Sequence, residues 1–142
     1  HPVVIEYSQS HQLGFKVFDR NGLSHQKLME LMGKSLLYIG NSISDGIPNT
    51  LLEALVMGAF PIQSNPGGAT AEIVENGMNS FLIENPESIM DIQNIILKFL
   101  SSPQLVKDAV KINCKLAQER LDYETNRVKV ISIYNLINAT RI

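Results

Sequence analysis

Two carboxylates eight positions apart, Asp45 and Glu53, bracket the segment Asp45-Gly46-Ile47-Pro48-Asn49-Thr50-Leu51-Leu52-Glu53. Asp45 precedes Gly46 and Pro48, which places it in a loop. Pro48 starts a helix, and Glu53 falls about a turn and a half into it. Its neighbours there, Leu51, Leu52, Leu55 and Val56, are apolar. An acid in such a run is costly to bury unless something polar meets it. The first helical turn leaves backbone N–H groups without partners, and these favour an anion. Two acceptor groups beside an anion site suit a ligand with a phosphate and several hydroxyls. A nucleotide sugar is such a ligand.

The other chemistry-bearing residues read more plainly. Gly67-Gly68 makes a loop, and no G-x-G-x-x-G follows any expected strand. Glu72 reads as a surface or helix-start charge, with a donor contact as the alternative. His1, His11 and His25 lack metal-ligand spacing and an accompanying acid pattern, so each is expected to be solvated. Cys114 lies in an amphipathic helix and reads as a small core or boundary residue.

The elements that must position these groups follow from periodicity. Short strands are expected over 3–7 and 14–18, with Asn21-Gly22 as a turn. Ser24 can cap a helix to about Lys34, with Leu28, Leu31 and Met32 on one face. The apolar run 36–39 predicts a strand buried on both sides. The helix from Pro48 ends at Met57, with Gly58 as its C-terminal glycine. A strand over 59–63 follows, in which Pro61 must sit where no N–H is paired. A short helix is expected over 69–75, and a strand over 80–83. Asn85 with Pro86 predicts the next helix start, with Ile89, Ile92, Ile95, Ile96 and Phe99 as its core face. Ser102-Pro103 opens a helix to about Arg120, and Asp122 can cap a last one to about Ala139.

This alternation means an α/β fold: a parallel sheet flanked by helices, with a helical C-terminal tail. Ligands of such sheets bind beyond the carboxyl ends of the strands. The 41–46 and 65–68 loops both follow strands and precede helices, so they belong on that same edge.

A chain of 142 residues is one domain of ordinary size. Its hydrophobic content of 44% and charged content of 18% fit a packed globule rather than a disordered chain. The net charge of -2 and the lack of a basic stripe disfavour nucleic acid as a partner. One free cysteine suits the reducing cytosol. No apolar run is long enough to span a membrane. The chain opens abruptly at His1-Pro2-Val3, which reads as a cut inside a longer protein.

The run from Asn41 to Ile62 resembles the donor-binding region of family 4 (group 1) retaining glycosyltransferases. The run from Asn65 to Ile83 resembles it too. The shared pattern is an acidic pair with seven residues between, then a helix, Gly, a strand, a Gly-Gly loop and an acid. The likeness is strongest over 36–86. It implies the Rossmann-like C-terminal donor domain of a two-Rossmann, B-type (GT-B) fold, with residues 1–142 as a partial copy and the acceptor-binding N-terminal domain absent.

The resemblance also implies roles. Asp45 would contact hydroxyls of the transferred sugar, and Glu53 would accept from both ribose hydroxyls. Backbone N–H groups of Gly46, Ile47, Asn49 and Thr50 would approach the sugar and diphosphate. Leu23 would form part of the wall against the base. The family usually has Glu at the first acidic position; Asp sets the carboxylate back by about one bond, which leaves the sugar open. The basic pair for the diphosphate would lie before this chain, and no catalytic residue is assigned within it. The implied substrate is a UDP- or GDP-linked hexose, with no cofactor and no metal. The implied setting is polysaccharide or lipid-linked glycan synthesis in the cytoplasm, at the inner face of the membrane for some members. The chain alone is expected to be inactive. Two other classes compete: half of a sugar-nucleotide epimerase, and a non-catalytic α/β partner-binding module. The second predicts an uncovered apolar strip, for which Val128, Ile131, Tyr134 and Ile137 are candidates.

Overall fold

The structure is a computed structural model that describes residues 22–140. The expected strands over 3–7 and 14–18, Asn21, His1 and His11 lie outside the described residues.

Helix α1 (His25–Lys34) starts where Ser24 Oγ accepts from the Lys27 N–H at 3.2 Å, as its sequence predicts. Strand β1 (Leu37–Gly40) leads through a loop to α2 (Asn49–Met57). The end of α2 is set by Gly58, whose φ of 84° is a left-handed conformation that a side chain would oppose. Gly58 N–H donates to Leu55 O and Ala59 N–H to Ala54 O, which closes the helix in a Schellman turn. Then come β2 (Phe60–Ser64), a 3-10 turn (Ala69–Glu72) and β3 (Phe81–Ile83). Helices α3 (Ile89–Leu100) and α4 (Pro103–Leu116) follow. A π-helical turn (Ala117–Leu121) joins α4 to α5 (Tyr123–Ala139), which Asp122 caps by accepting from Thr125 N–H at 2.8 Å.

The three described strands form a parallel sheet in the order β1-β2-β3. Helices cover both faces, so the α/β, Rossmann-like reading holds. Alternation along β2 divides the core. Phe60 and Ile62 join Phe81 and Ile83 of β3 against α3 and α4. The Phe60 ring meets Phe81 edge-on at 5.3 Å and Phe99 at 5.2 Å between centroids. The other face presents Tyr38 and Leu82 to Leu51 and Leu55 of α2. Helix α1 packs on α2 through Met32 and Ala54, with Ala59 just beyond the helix end completing the cluster.

Pro61 sits inside the central strand yet breaks no ladder. Phe60 N–H donates toward β1, to Leu36 O at 3.0 Å, so alternation turns Pro61 nitrogen the other way. On that side β3 begins to pair one residue later, at Ile62 with Phe81.

Several expectations are corrected. Strand β1 is not buried on both sides: Ile39 is 43% exposed, because among the described strands β1 has a neighbour only at β2. The helix expected over 69–75 is only the 3-10 turn, which stops at Glu72. The helix expected at Pro86 begins at Ile89, because Asn85 Oδ1 accepts from Glu87 N–H and closes a turn there. Ser88 is the true cap, accepting from Asp91 N–H at 3.2 Å. Ile89 therefore stands outside the core stripe, while Ile92, Ile95 and Ile96 pack on it. Cys114 is exposed rather than a core residue. Its neighbour Asn113 is the buried one, exchanging hydrogen bonds with the Asn79 side chain and carbonyl at 2.8 and 3.0 Å.

Candidate functional site

Parallel strands send their following loops to one edge of the sheet, and side chains lace those loops together here. Ser64 Oγ accepts from Ser42 N–H and donates to Ser42 O, both at 2.8 Å. Thr70 Oγ1 donates to Ser64 O at 3.1 Å. Asn41 Nδ2 reaches across to Pro86 O at 2.8 Å. The loops after all three strands are thus joined at the carboxyl edge, as the sequence predicts for 41–46 and 65–68.

At this edge α2 begins without a side-chain cap, because Pro48 has none to offer. The N–H groups of Asn49 and Thr50 have no intrahelical acceptor in such a geometry. Asp45 is exposed in the loop before them. Its Oδ1 accepts from Gly46 N–H at 2.8 Å, which engages that amide within the loop. Ile47 is half-buried and packs against the core cluster that includes Leu51 and Leu55. Gly67 and Gly68 have φ of 99° and 88°, and a Cβ on either would meet nothing. Their loop is shaped by backbone conformations that other residues resist, and it faces open space.

Glu53 is neither sealed nor bare: its side chain is 24% exposed. Its polar neighbour is one that sequence reasoning missed. His25 Nε2 lies 2.9 Å from Glu53 Oε1. The imidazole is itself 70% exposed, as expected, but it is not an isolated solvated side chain. The contact brings the α1 start beside α2 and sets half-buried Leu23 two residues from a partner of Glu53. Nothing local in the sequence announces a pairing across 28 positions.

Tyr38 is the second residue that sequence reasoning missed. Its hydroxyl lies 2.9 Å from Thr50 Oγ1 and donates to Gln63 Oε1 at 3.3 Å. Gln63 is buried within the central strand, and its Nε2 reaches Ser64 Oγ at 3.4 Å. A polar chain therefore runs from the first turn of α2 to the loops at the sheet edge. Burial raises the Tyr38 pKa, the Thr50 hydrogen bond opposes it, and the charges of Asp45 and Glu53 add to the rise. Asp45 lies in the loop before the first turn of α2 and Glu53 in its second turn. A cavity of about 520 Å³ lies elsewhere, between the 71–79 segment and Ile112 and Leu116 of α4; Glu72 lines it, and neither Asp45 nor Glu53 does. Among the described residues no three His, Cys, Asp or Glu side chains gather as metal ligands would.

The fold is shared with solved structures. Sucrose-phosphate synthase from Thermosynechococcus elongatus superposes with a TM-score of 0.77 at 18% identity, covering 96% of this chain and 34% of its own. HepE from Anabaena, solved in complex with UDP, superposes with a TM-score of 0.72 at 22% identity, covering 94% of this chain and 36% of its own. The chain therefore spans about a third of the length of these structures. No curated protein sequence matches it. The profile of the family described as Glycosyl transferases group 1 matches residues 3–115, well over half of the chain. The chain belongs to the group 1 glycosyl transferases.

Proposed function

We propose that this chain is the nucleotide-sugar-binding domain of a retaining, two-domain glycosyltransferase. The reaction would transfer a hexose from a UDP- or GDP-sugar to a glycan or lipid-linked acceptor. The observation that carries this reading is the uncapped N-terminus of α2 at the carboxyl edge of the sheet, with Asp45 exposed in the loop before it and part-exposed Glu53 in its second turn. HepE binds UDP on a similar fold, which supports a uridine nucleotide among the candidate donors.

In this reading Glu53 accepts from the ribose hydroxyls and Asp45 from hydroxyls of the transferred sugar. Leu23 lies against the base. The N–H groups of Ile47, Asn49 and Thr50, with Gly46 shaping the loop, face the sugar and diphosphate. The chemistry is a substitution at the anomeric carbon through an oxocarbenium-like transition state. Its barrier falls when negative charge on the departing diphosphate is met by fixed dipoles, which the first turn of α2 supplies. A basic pair outside this chain would supply more, and no metal is required. The enzyme would work in the cytoplasm, at the inner face of the membrane where its acceptor is lipid-linked. Among the described residues no helix is long and apolar enough to cross a membrane.

Titration of the chain with UDP and GDP, followed by amide NMR, tests the reading. Shifts should cluster at Leu23, residues 45–53 and Gly67-Gly68. Glu53→Gln removes a charged acceptor and should weaken nucleotide binding on the order of 10- to 100-fold. Shifts centred away from α2, with Glu53→Gln neutral, would overturn it.

A further inference from the structure

We infer that His25 and Glu53 together read a ribose hydroxyl, as a donor and acceptor pair set to hold one O–H between them. The inference rests on the donor-site reading above and assigns His25 a binding role within it.

The argument starts from what a carboxylate lacks. Glu53 can accept from a hydroxyl proton, but it offers nothing to the hydroxyl's own lone pairs. A hydroxyl held by Glu53 alone would therefore leave its acceptor side to water. The imidazole of His25 supplies the missing donor. The 2.9 Å contact pairs Nε2 with Glu53 Oε1, and in the tautomer that carries its proton on Nε2 the ring is the donor. That N–H points at the Glu53 carboxylate, where a hydroxyl bound to Glu53 would lie. When a hydroxyl enters, Nε2–H can donate to its oxygen while its O–H donates to Glu53.

Opening the direct contact costs little. The imidazole is 70% exposed, and exposed pairs of this kind contribute little to stability. His25 is also well placed to respond: it is the first residue of α1, one position after the Ser24 cap and two after Leu23. Base wall and hydroxyl donor would then come from one short segment, and the acceptor from α2. Among the described residues, Glu53 Oε2 has no side-chain partner, so one carboxylate oxygen remains for the neighbouring hydroxyl.

The test is a discrimination ratio. Dissociation constants are measured for UDP and for 2′,3′-dideoxy-UDP, with GDP and its dideoxy analogue in parallel, on the wild-type chain, His25→Ala, His25→Gln and Glu53→Gln. His25→Ala should weaken the ribonucleotide about fivefold, and leave the dideoxy analogue within about twofold. His25→Gln, which restores an N–H donor, should recover part of the loss. Equal weakening of both ligands would reduce His25 to a structural support. No effect of His25→Ala, with Glu53→Gln still damaging, would overturn this inference and leave the donor site standing. No effect of either substitution would overturn the donor-site reading itself.

Discussion

Glu53 shows how one residue acquires a chemical environment that its neighbours in sequence deny it. Leu51 and Leu55 on either side are fully buried, and the helix turn that buries them carries Glu53 to the rim. Tyr38 is the reverse case, a phenol drawn under the same helix by a strand whose alternate residues face the core. Its raised pKa gives a prediction whose sign is fixed. In the unfolded chain the phenol ionises near 10.0, and in the fold it keeps its proton to higher pH. The folded state then binds more protons above pH 10, so this group's contribution is present at neutral pH and is lost as pH climbs past 10. Tyr38→Phe should cost about 1 kcal/mol at pH 8 through the lost hydrogen bonds. The gap between wild type and variant, measured by urea denaturation, should narrow by pH 11. A gap that stays constant or widens would show that Tyr38 does not titrate as the fold requires.

Much of the element scale was legible because the signals are local. Ser24 and Asp122 cap where their side chains reach an N–H three residues on, and Gly58 ends α2 through a conformation that glycine adopts cheaply. Asn85 misled for an equally local reason: it satisfies a turn before Pro86 and leaves the capping to Ser88. The carboxylate pair was legible as a pattern, whereas His25, Tyr38 and Gln63 were not. Their partners lie 28, 12 and 25 positions away, and only the packing of α1, β1 and β2 around α2 brings them together. Gly40 records how closely β1 and β2 support that packing. A Cβ there would collide with the Gln63 amide and the Tyr38 hydroxyl, both held by hydrogen bonds. Gly40→Ala should therefore destabilise the fold by about 1–3 kcal/mol. Gly46→Ala is the control: its Cβ would meet nothing, and stability should stay within about 0.5 kcal/mol. Equal melting temperatures for the two variants would mean that β2 yields where the structure holds it tight.

At the scale of the whole molecule, α5 is the element this chain alone does not explain. None of its residues is buried, and Val128, Ile131, Tyr134 and Ile137 are 60%, 46%, 65% and 45% exposed. Its base is anchored, since Asp122 caps it and Asn126 Nδ2 donates to Arg120 O at 2.8 Å. Beyond that it carries a strip of apolar side chains at helical spacing, a surface that proteins seldom leave to water. Helices in proteins draw most of their stability from tertiary packing, which α5 lacks beyond its base. The solved structures with this fold are nearly three times as long, and the two-domain reading supplies the cover from the rest of the enzyme. The double substitution Ile131→Asp with Tyr134→Lys separates this role from the donor site, because it touches neither Glu53 nor Asp45. In the 142-residue chain it should reduce dye binding and self-association while leaving nucleotide affinity within about twofold. In the proposed two-domain enzyme it should lower the melting temperature by several degrees, the result expected where covered apolar contacts become buried charges. An unchanged melting temperature there would mean that α5 stays bare in the complete protein, and the strip would need another occupant.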